Sequence, residues 1–345
     1  MVANVTDDRI FDRFQLIVNG PALFNAIVAG YELNVFGNLS LTGGLDLEAL
    51  VERIGIPRPQ LRALMFALCS TELISRRDGI YRNSDLAEAF FVLDGPESWK
   101  HILSGWQRIY YPAFQHLTAS MREGRNVALD LLPGEGETLY QRLAVDPELE
   151  GILHRAMSAF TLQSMGGLLD NVDLAATRHL LDVGGGDGTT AMALVRHNTH
   201  LRITILDVPT VAALANGETS EATRICIVPG DFFEASFPAD VDGVLFSHVL
   251  EIFDEHQIRT LLKKAFDVLP SGGKVMIYGF LSSEDETSGV FGARLALYLN
   301  VLASGRGMAY SAHDYESAMR DVGFLNVSTI TDLPYEHGLT TGHRP

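Results

Sequence analysis

The stretch Leu181-Asp182-Val183-Gly184-Gly185-Gly186-Asp187-Gly188-Thr189-Thr190 constrains this chain more than any other. An apolar run enters it and a helix-compatible run, Thr189 to His197, leaves it, so it reads as strand, tight turn and helix. Glycines at such a turn let the backbone bend sharply and come close to a bound nucleotide. From about residue 178 onward the alternation continues, with strand candidates HLLDVG, RITILD, RICIVPGD, GVLFSHVL, GKVMIYGF, NVSTITDL and HGLTTGHR and helical segments between most of them. That pattern predicts a mostly parallel sheet covered on both faces. The last two candidates are joined by only about DLPYEH, too short for a crossover helix, so they should pair antiparallel.

The spacing of the glycines narrows the ligand. A dinucleotide fingerprint running from Gly184 and Gly186 needs Gly or Ala where the chain has Thr189, and no Gly-Lys-Ser/Thr ending marks a P-loop. What is left is a glycine turn preceded by Asp182, with Asp207 ending the next strand, where a carboxylate can accept from both hydroxyls of a ribose. Asp231 ends the third strand candidate and is followed by Phe232, a pair able to bond an adenine amino group and cover the ring. Strand ends in register predict a nucleoside without a pyrophosphate.

The 345 residues allow two domains. Residues 1–95 read as helices followed by two short strands around Asp78-Gly79, the order of a winged-helix module. Between Asp46 and Phe91 six arginines face seven acids, and the helix that would enter a groove is mostly Leu, Ala and Met, so dimerisation is the expected role rather than DNA binding. Residues 96–172 form an aromatic-rich helical connector, and 173–345 the cofactor-binding domain. Trp106 and Tyr110 in the connector are candidate walls of an apolar substrate pocket. With 26 Lys and Arg against 43 Asp and Glu, the net charge of −17 argues against nucleic-acid and anionic-membrane partners. The acidic start MVANVTDD lacks a secretory pattern, no apolar run approaches a spanning length, and Cys69 and Cys226 lie in apolar runs. A cytoplasmic protein with buried, unpaired thiols is expected.

Together the N-terminal module, LLDVGGGDGTTA, ILDVP, VPGDFFE, FSHVLEIFDEHQIRTLLKKAFDVLPSGGKVMI and the closing hairpin resemble the S-adenosylmethionine-dependent small-molecule O-methyltransferases of plant phenolic and bacterial natural-product metabolism. The resemblance covers nearly the whole chain. It implies a Rossmann-like seven-stranded α/β sheet, mostly parallel with the last strand antiparallel, behind a winged-helix dimerisation domain. It also implies an intertwined homodimer, with Gly184 packed against the methionine moiety, Asp207 on the ribose, Asp231 and Phe232 on the adenine, and Ser247 near the cofactor.

The catalytic segment departs from that family. Where V-L-H-D-W usually supplies a histidine base, this chain reads Val249-Leu250-Glu251-Ile252-Phe253, and the usual supporting carboxylates are replaced by Tyr278-Gly279-Phe280 and Gly307-Met308-Ala309-Tyr310. Glu251 is the favoured base, its pKa raised by a dry pocket. His248 or His313 could instead take the proton, or an acidic acceptor could need no base, leaving proximity and orientation to do the work. Tyr298 and Asn300, with Arg294 and Tyr310, are candidate acceptor contacts. His248 and His256 are too far apart in pattern for a metal site, and none is expected. The expected activity is methyl transfer to the hydroxyl of an aromatic or polyketide-like acceptor in secondary metabolism. C- or N-methylation, or a cofactor-retaining homologue that hydroxylates, decarboxylates or cyclises, is the alternative, and a DNA-binding nucleoside sensor is a third reading.

Overall fold

Residues 8–208 and 221–345 are described by the computed structural model of the chain, which divides into two units, Met1–Gln107 and Arg108–Pro345. The acidic first seven residues lie outside the described part, as does Pro209 of ILDVP.

In the first unit, helices Leu47–Ile54 and Arg58–Ser70 are followed by strands β1 (Ile74–Arg77) and β2 (Ile80–Asn83). The Asp46 carboxylate caps the first of these helices by accepting from Ala49 N at 2.8 Å, and Gly55 ends it at φ 75°. Leu61, Met65 and Leu68, spaced at helical intervals, turn inward on the second. Asp78 and Gly79 both have positive φ, which matches the twist of a two-residue hairpin. The run FNAIVAGYELNVFGNLS, continuous in its apolar pattern, is broken into helices Gly20–Glu32 and Val35–Thr42. Asn34 adopts φ 54° at the break, and Gly37 leaves room for its side chain, since a Cβ there would lie 2.2 Å from Asn34 Oδ1.

The second unit carries a seven-stranded sheet built from β3 (His179–Val183), β4 (Arg202–Asp207), β5 (Ile225–Pro229), β6 (Gly243–Ser247), β7 (Lys274–Phe280), β8 (Leu325–Leu333) and β9 (His337–His343), in the order β5-β4-β3-β6-β7-β9-β8. The pairs among β3 to β7 are parallel, and β9 is inserted antiparallel between β7 and β8. Every residue of β3 and β6 is buried because helices cover both faces. Leu181, Val183, Val244 and Phe246 pack toward helices Glu255–Val268 and Ala312–Val322. Leu180, Ile203, Ile205 and Leu245 pack toward helices Pro147–Leu169 and Thr189–His197. By the two-residue period Asp182 shares this second face with Leu180. The chain runs outward from β3 to β5 and then returns to β6 on the other side of β3, which makes the carboxyl end of β3 a topological switch point.

One expectation fails. Cys226 is exposed and Cys69 only half-buried, although both are free. β5 is the edge strand and turns one side to solvent, so an apolar run there does not guarantee burial. Among the described residues no single helix is long and apolar enough to cross a membrane, while the bent pair Ile10–Val18 and Gly20–Glu32 passes that test only jointly.

Candidate active site

The glycine turn lies at the switch point. Gly184, Gly186 and Gly188 take φ of 69°, 61° and 84°. A Cβ on Gly184 would lie 2.7 Å from Val249 and one on Gly185 2.5 Å from Asp182 Oδ2, whereas one on Gly186 would meet nothing within 4 Å. The first two glycines therefore close the loop onto its own support, and Gly186 faces open space. Asp187, which the sequence reading leaves without a role, holds the loop: Thr189 N and Oγ1 donate to its Oδ1 at 3.0 and 2.7 Å, and Ser158 Oγ donates to its Oδ2. A threonine pair opening a helix two residues after an aspartate was the available signal.

Two acids lie beneath this loop. Asp207 Oδ2 accepts from Gly186 N at 2.8 Å and its Oδ1 from Val208 N at 2.7 Å. Burial still holds its pKa above the usual carboxylate range. Asp182 is fully buried with no hydrogen-bond partner on either oxygen among the described residues, and burial together with the charge of Asp207 pushes it up to about 7. A cation placed here would offset the repulsion and supply the missing donors. S-adenosylmethionine, a nucleoside with an ammonium and a sulfonium, fits this donor-poor, acid-rich end of the sheet.

Along the neighbouring strands, Asp231 is exposed after β5 and its Oδ1 accepts from Phe233 N at 2.8 Å. Phe232 stands half-buried, its ring 5.8 Å from that of Phe253. Ser247 is buried at the end of β6, with Oγ 3.3 Å from His248 Nδ1.

Glu251 occupies the short helical turn Leu250–Ile252 and is 3% exposed. Its Oε1 accepts from Phe280 N at 3.1 Å, while Oε2 is buried without a partner among the described residues. Burial pushes its carboxyl up to about 7. Two glycines make the space: a Cβ on Gly279 would fall 1.9 Å from Glu251 Oε1, and one on Gly307 2.2 Å from the Glu251 carbonyl oxygen. The departures at positions 251, 279 and 307 are thus one steric unit, invisible until the segments meet.

The alternative bases sit differently. His248 takes φ 56°, and its Nε2 lies 2.7 Å from His337 Nε2, whose Nδ1 lies 3.0 Å from the Tyr335 carbonyl oxygen. The carbonyl can only accept, so His337 donates through Nδ1 and His248 donates through Nε2. Burial, with the second imidazole, holds His248 well below its usual pKa, and its ring is engaged at both nitrogens. His313 is exposed in a crevice lined by Glu255, Arg259, Tyr310 and Asp314.

Of the candidate acceptor contacts, Tyr110 and Tyr298 are both buried, with ring centroids 4.1 Å apart, and the Arg294 guanidinium lies 5.7 Å from the Tyr110 centroid. Burial raises both phenols above their usual pKa. Tyr140, absent from the sequence reading, lies within electrostatic reach of Tyr110, Tyr298, Glu251 and Asp207. It follows a loop with no motif, and nothing in the local sequence distinguishes it. Asn300 Nδ2 donates to the carbonyls of Ala296 and Gly307 at 2.9 and 3.0 Å, bracing the segment that carries Gly307. Trp106 belongs to the first unit, edge-on to Trp99 at 5.9 Å.

Comparison with known proteins agrees with this geometry. The family model for the O-methyltransferase domain matches residues 114–325. L-tyrosine C(3)-methyltransferase of Streptomyces lavendulae is 30% identical over 89% of this chain and 85% of its own length. The 3-hydroxy-5-methyl-1-naphthoate 3-O-methyltransferase of Streptomyces sahachiroi is 30% identical over 92% and 90%. The apo structure of the S-adenosylmethionine-dependent methyltransferase SibL superposes with a TM-score of 0.85 at 31% identity, covering 96% of this chain and 99% of that one. Human N-acetylserotonin methyltransferase, solved with S-adenosylmethionine, shares the fold at a TM-score of 0.84 and 22% identity, covering 100% and 99%. The chain belongs to the O-methyltransferase family and is an S-adenosylmethionine-dependent methyltransferase of small molecules.

Proposed function

We propose that this enzyme methylates an aromatic or polyketide-like natural-product acceptor at a hydroxyl, with Glu251 as the general base. The observation that carries the reading is the buried, partnerless Oε2 of Glu251. Phe280 N holds one carboxylate oxygen and leaves the other to accept a proton, and a pKa of about 7 matches that task near neutral pH. The bound cofactor supplies an electrophilic methyl on its sulfonium. Gly186 lets the backbone approach it, Gly184 seats the loop on Val249 beside its methionine moiety, Asp207 accepts from the ribose, Asp231 and Phe232 hold the adenine, and Asp182 and Ser247 complete the pocket. Tyr110 and Tyr298 orient the acceptor ring, and Asn300 keeps the lining segment in place. His248 and His313 serve as supports rather than as bases.

The relative that methylates a tyrosine ring carbon favours a second reading, C-methylation, because a phenolate made by the same base is also nucleophilic at the adjacent carbon. Product spectroscopy separates the two, since an oxygen-bound and a ring-bound methyl differ widely in carbon shift. The base assignment is tested by the pH profile of kcat/KM. It should rise with an apparent pKa near 7, and Glu251→Gln should abolish that limb; an unchanged profile in the variant refutes the assignment.

The domains we propose are a winged-helix dimerisation domain (1–95), a connector (96–172) and a catalytic domain (173–345). Helix Asp8–Val18 leaves Ile10, Phe11, Phe14, Leu16, Ile17 and Val18 exposed, more apolar surface than a lone helix keeps in water, which supports a homodimer. The acidic balance supports an enzyme that binds neither nucleic acid nor an anionic membrane, and the two free thiols support a cytoplasmic one. Full activity after chelation would agree with metal-independent transfer.

A further inference from the structure

We propose that Lys264 is a positioning residue for the cofactor, acting through the loop after β5. Lys264 extends from helix Glu255–Val268, whose Ile258, Leu261, Leu262 and Ala265 are locked into the core beneath the sheet. Its Nζ donates to the carbonyl oxygens of Phe232, Phe233 and Ala235 at 2.6, 2.7 and 2.7 Å. An ammonium has three donors, and here all three converge on one loop.

These carbonyls are accessible because of how the loop turns. Glu234 N and Ala235 N donate back to the Asp231 carbonyl at 3.0 and 2.7 Å, and Phe233 N donates to Asp231 Oδ1. The turn thereby spends its amides on Asp231 and leaves successive carbonyls pointing together. The loop follows an edge strand, where Gly230 N to the Asp207 carbonyl, at 2.8 Å, is its tie to the sheet. Lys264 therefore ties the loop after an edge strand to a helix of the core, and the centroid of the Phe237 ring lies 5.0 Å from Nζ. The residues fixed by this clamp are the ones proposed to hold the adenine, so the inference rests on that reading.

Lys264→Met keeps the stem and removes every donor. It should raise the Kd for S-adenosylhomocysteine, measured by calorimetry, about tenfold or more, because bonds from a charged donor are lost together. KM for the methyl donor should rise in parallel, while the acceptor KM and the kcat at saturating donor stay within about twofold, a split that general destabilisation does not produce. In a Phe232→Ala background the same change should add little, since both substitutions remove one function. Lys264→Arg keeps the charge and can still donate to several carbonyls, as Arg224 does to those of Val195, Asn198 and Leu201, so it should restore much of the affinity that Lys264→Met loses. Unchanged affinity in Lys264→Met, binding by Lys264→Arg as weak as by Lys264→Met, an equal penalty in both backgrounds, or a matching rise in acceptor KM overturns the clamp. If Phe232→Ala alone leaves the Kd unchanged, the adenine reading fails and the clamp with it. If Phe232→Ala weakens binding and Lys264→Met does not, the clamp alone fails.

Discussion

Asp207 and Glu251 are both buried acids in the same half of the molecule, yet their surroundings differ. Asp207 accepts two backbone N–H groups from loops that it helps to shape, and these offset part of the effect of its burial. Glu251 accepts one, and its second oxygen faces the interior alone. A carboxylate held by two amides is suited to fixing a loop and a ligand in place, because those bonds fix its orientation. An unsatisfied one is suited to exchanging a proton, because neither protonation state is strongly preferred near neutrality.

The most direct way to break that contrast is Glu251→Gln, which keeps size and the Phe280 bond but cannot take a proton. A loss in kcat of about 10² to 10⁴ is expected, with the Kd for S-adenosylhomocysteine unchanged. Asp207→Ala should do the reverse, weakening that Kd by about 10- to 100-fold through the loss of a charged acceptor, and calorimetry at fixed pH reads it. If both variants lose affinity and rate equally, the division of labour is wrong. Gly279→Ala sharpens the comparison, since its methyl would displace the Glu251 carboxylate. We expect roughly a tenfold lower kcat and a shifted pH profile without loss of cofactor affinity.

The smallest expected effect concerns stability. The folded-state pKa of Asp182 is raised to about 7 from 3.8, and that of Glu251 to about 7 from 4.5. Between these limits these two carboxyls hold more protons in the folded protein than in the unfolded chain, so their contribution to stability falls as pH rises from about 4 to 7 and then levels, while the lowered pKa values of His248 and His337 act in the opposite sense. Asp182→Asn should flatten part of this slope in thermal melts recorded from pH 5 to 8. A melting-temperature difference between Asp182→Asn and the parent protein that stays constant from pH 5 to 8 would contradict the burial argument.

Much of the nucleotide end was legible because it is local. Gly184 to Gly188, Asp207 and Asp231 each sit at the carboxyl end of a strand whose apolar pattern is plain, so register alone brought them into line. The closing pair was equally legible from the short link between β8 and β9. Long-range steric relations were not. Gly279 and Gly307 read as missing carboxylates, whereas their role depends on Glu251 lying against them from another segment. Lys263 and Lys264 are adjacent in the sequence, and only the folded turn at Phe232 to Ala235 distinguishes the second from the first. The edge position of β5 similarly hid the exposure of Cys226.

Periodicity, glycine placement and the acid after each strand are properties of neighbouring residues, and by themselves they determined the sheet, its direction and the end that carries the candidate cofactor residues. Which nitrogen of His248 is engaged, which oxygen of Glu251 is left alone, and which carbonyls meet Lys264 depend on segments that the chain brings together from tens of residues apart. Those relations were decided by tertiary packing, because hydrogen-bond satisfaction and desolvation are set by the groups within a few ångströms in space rather than along the chain.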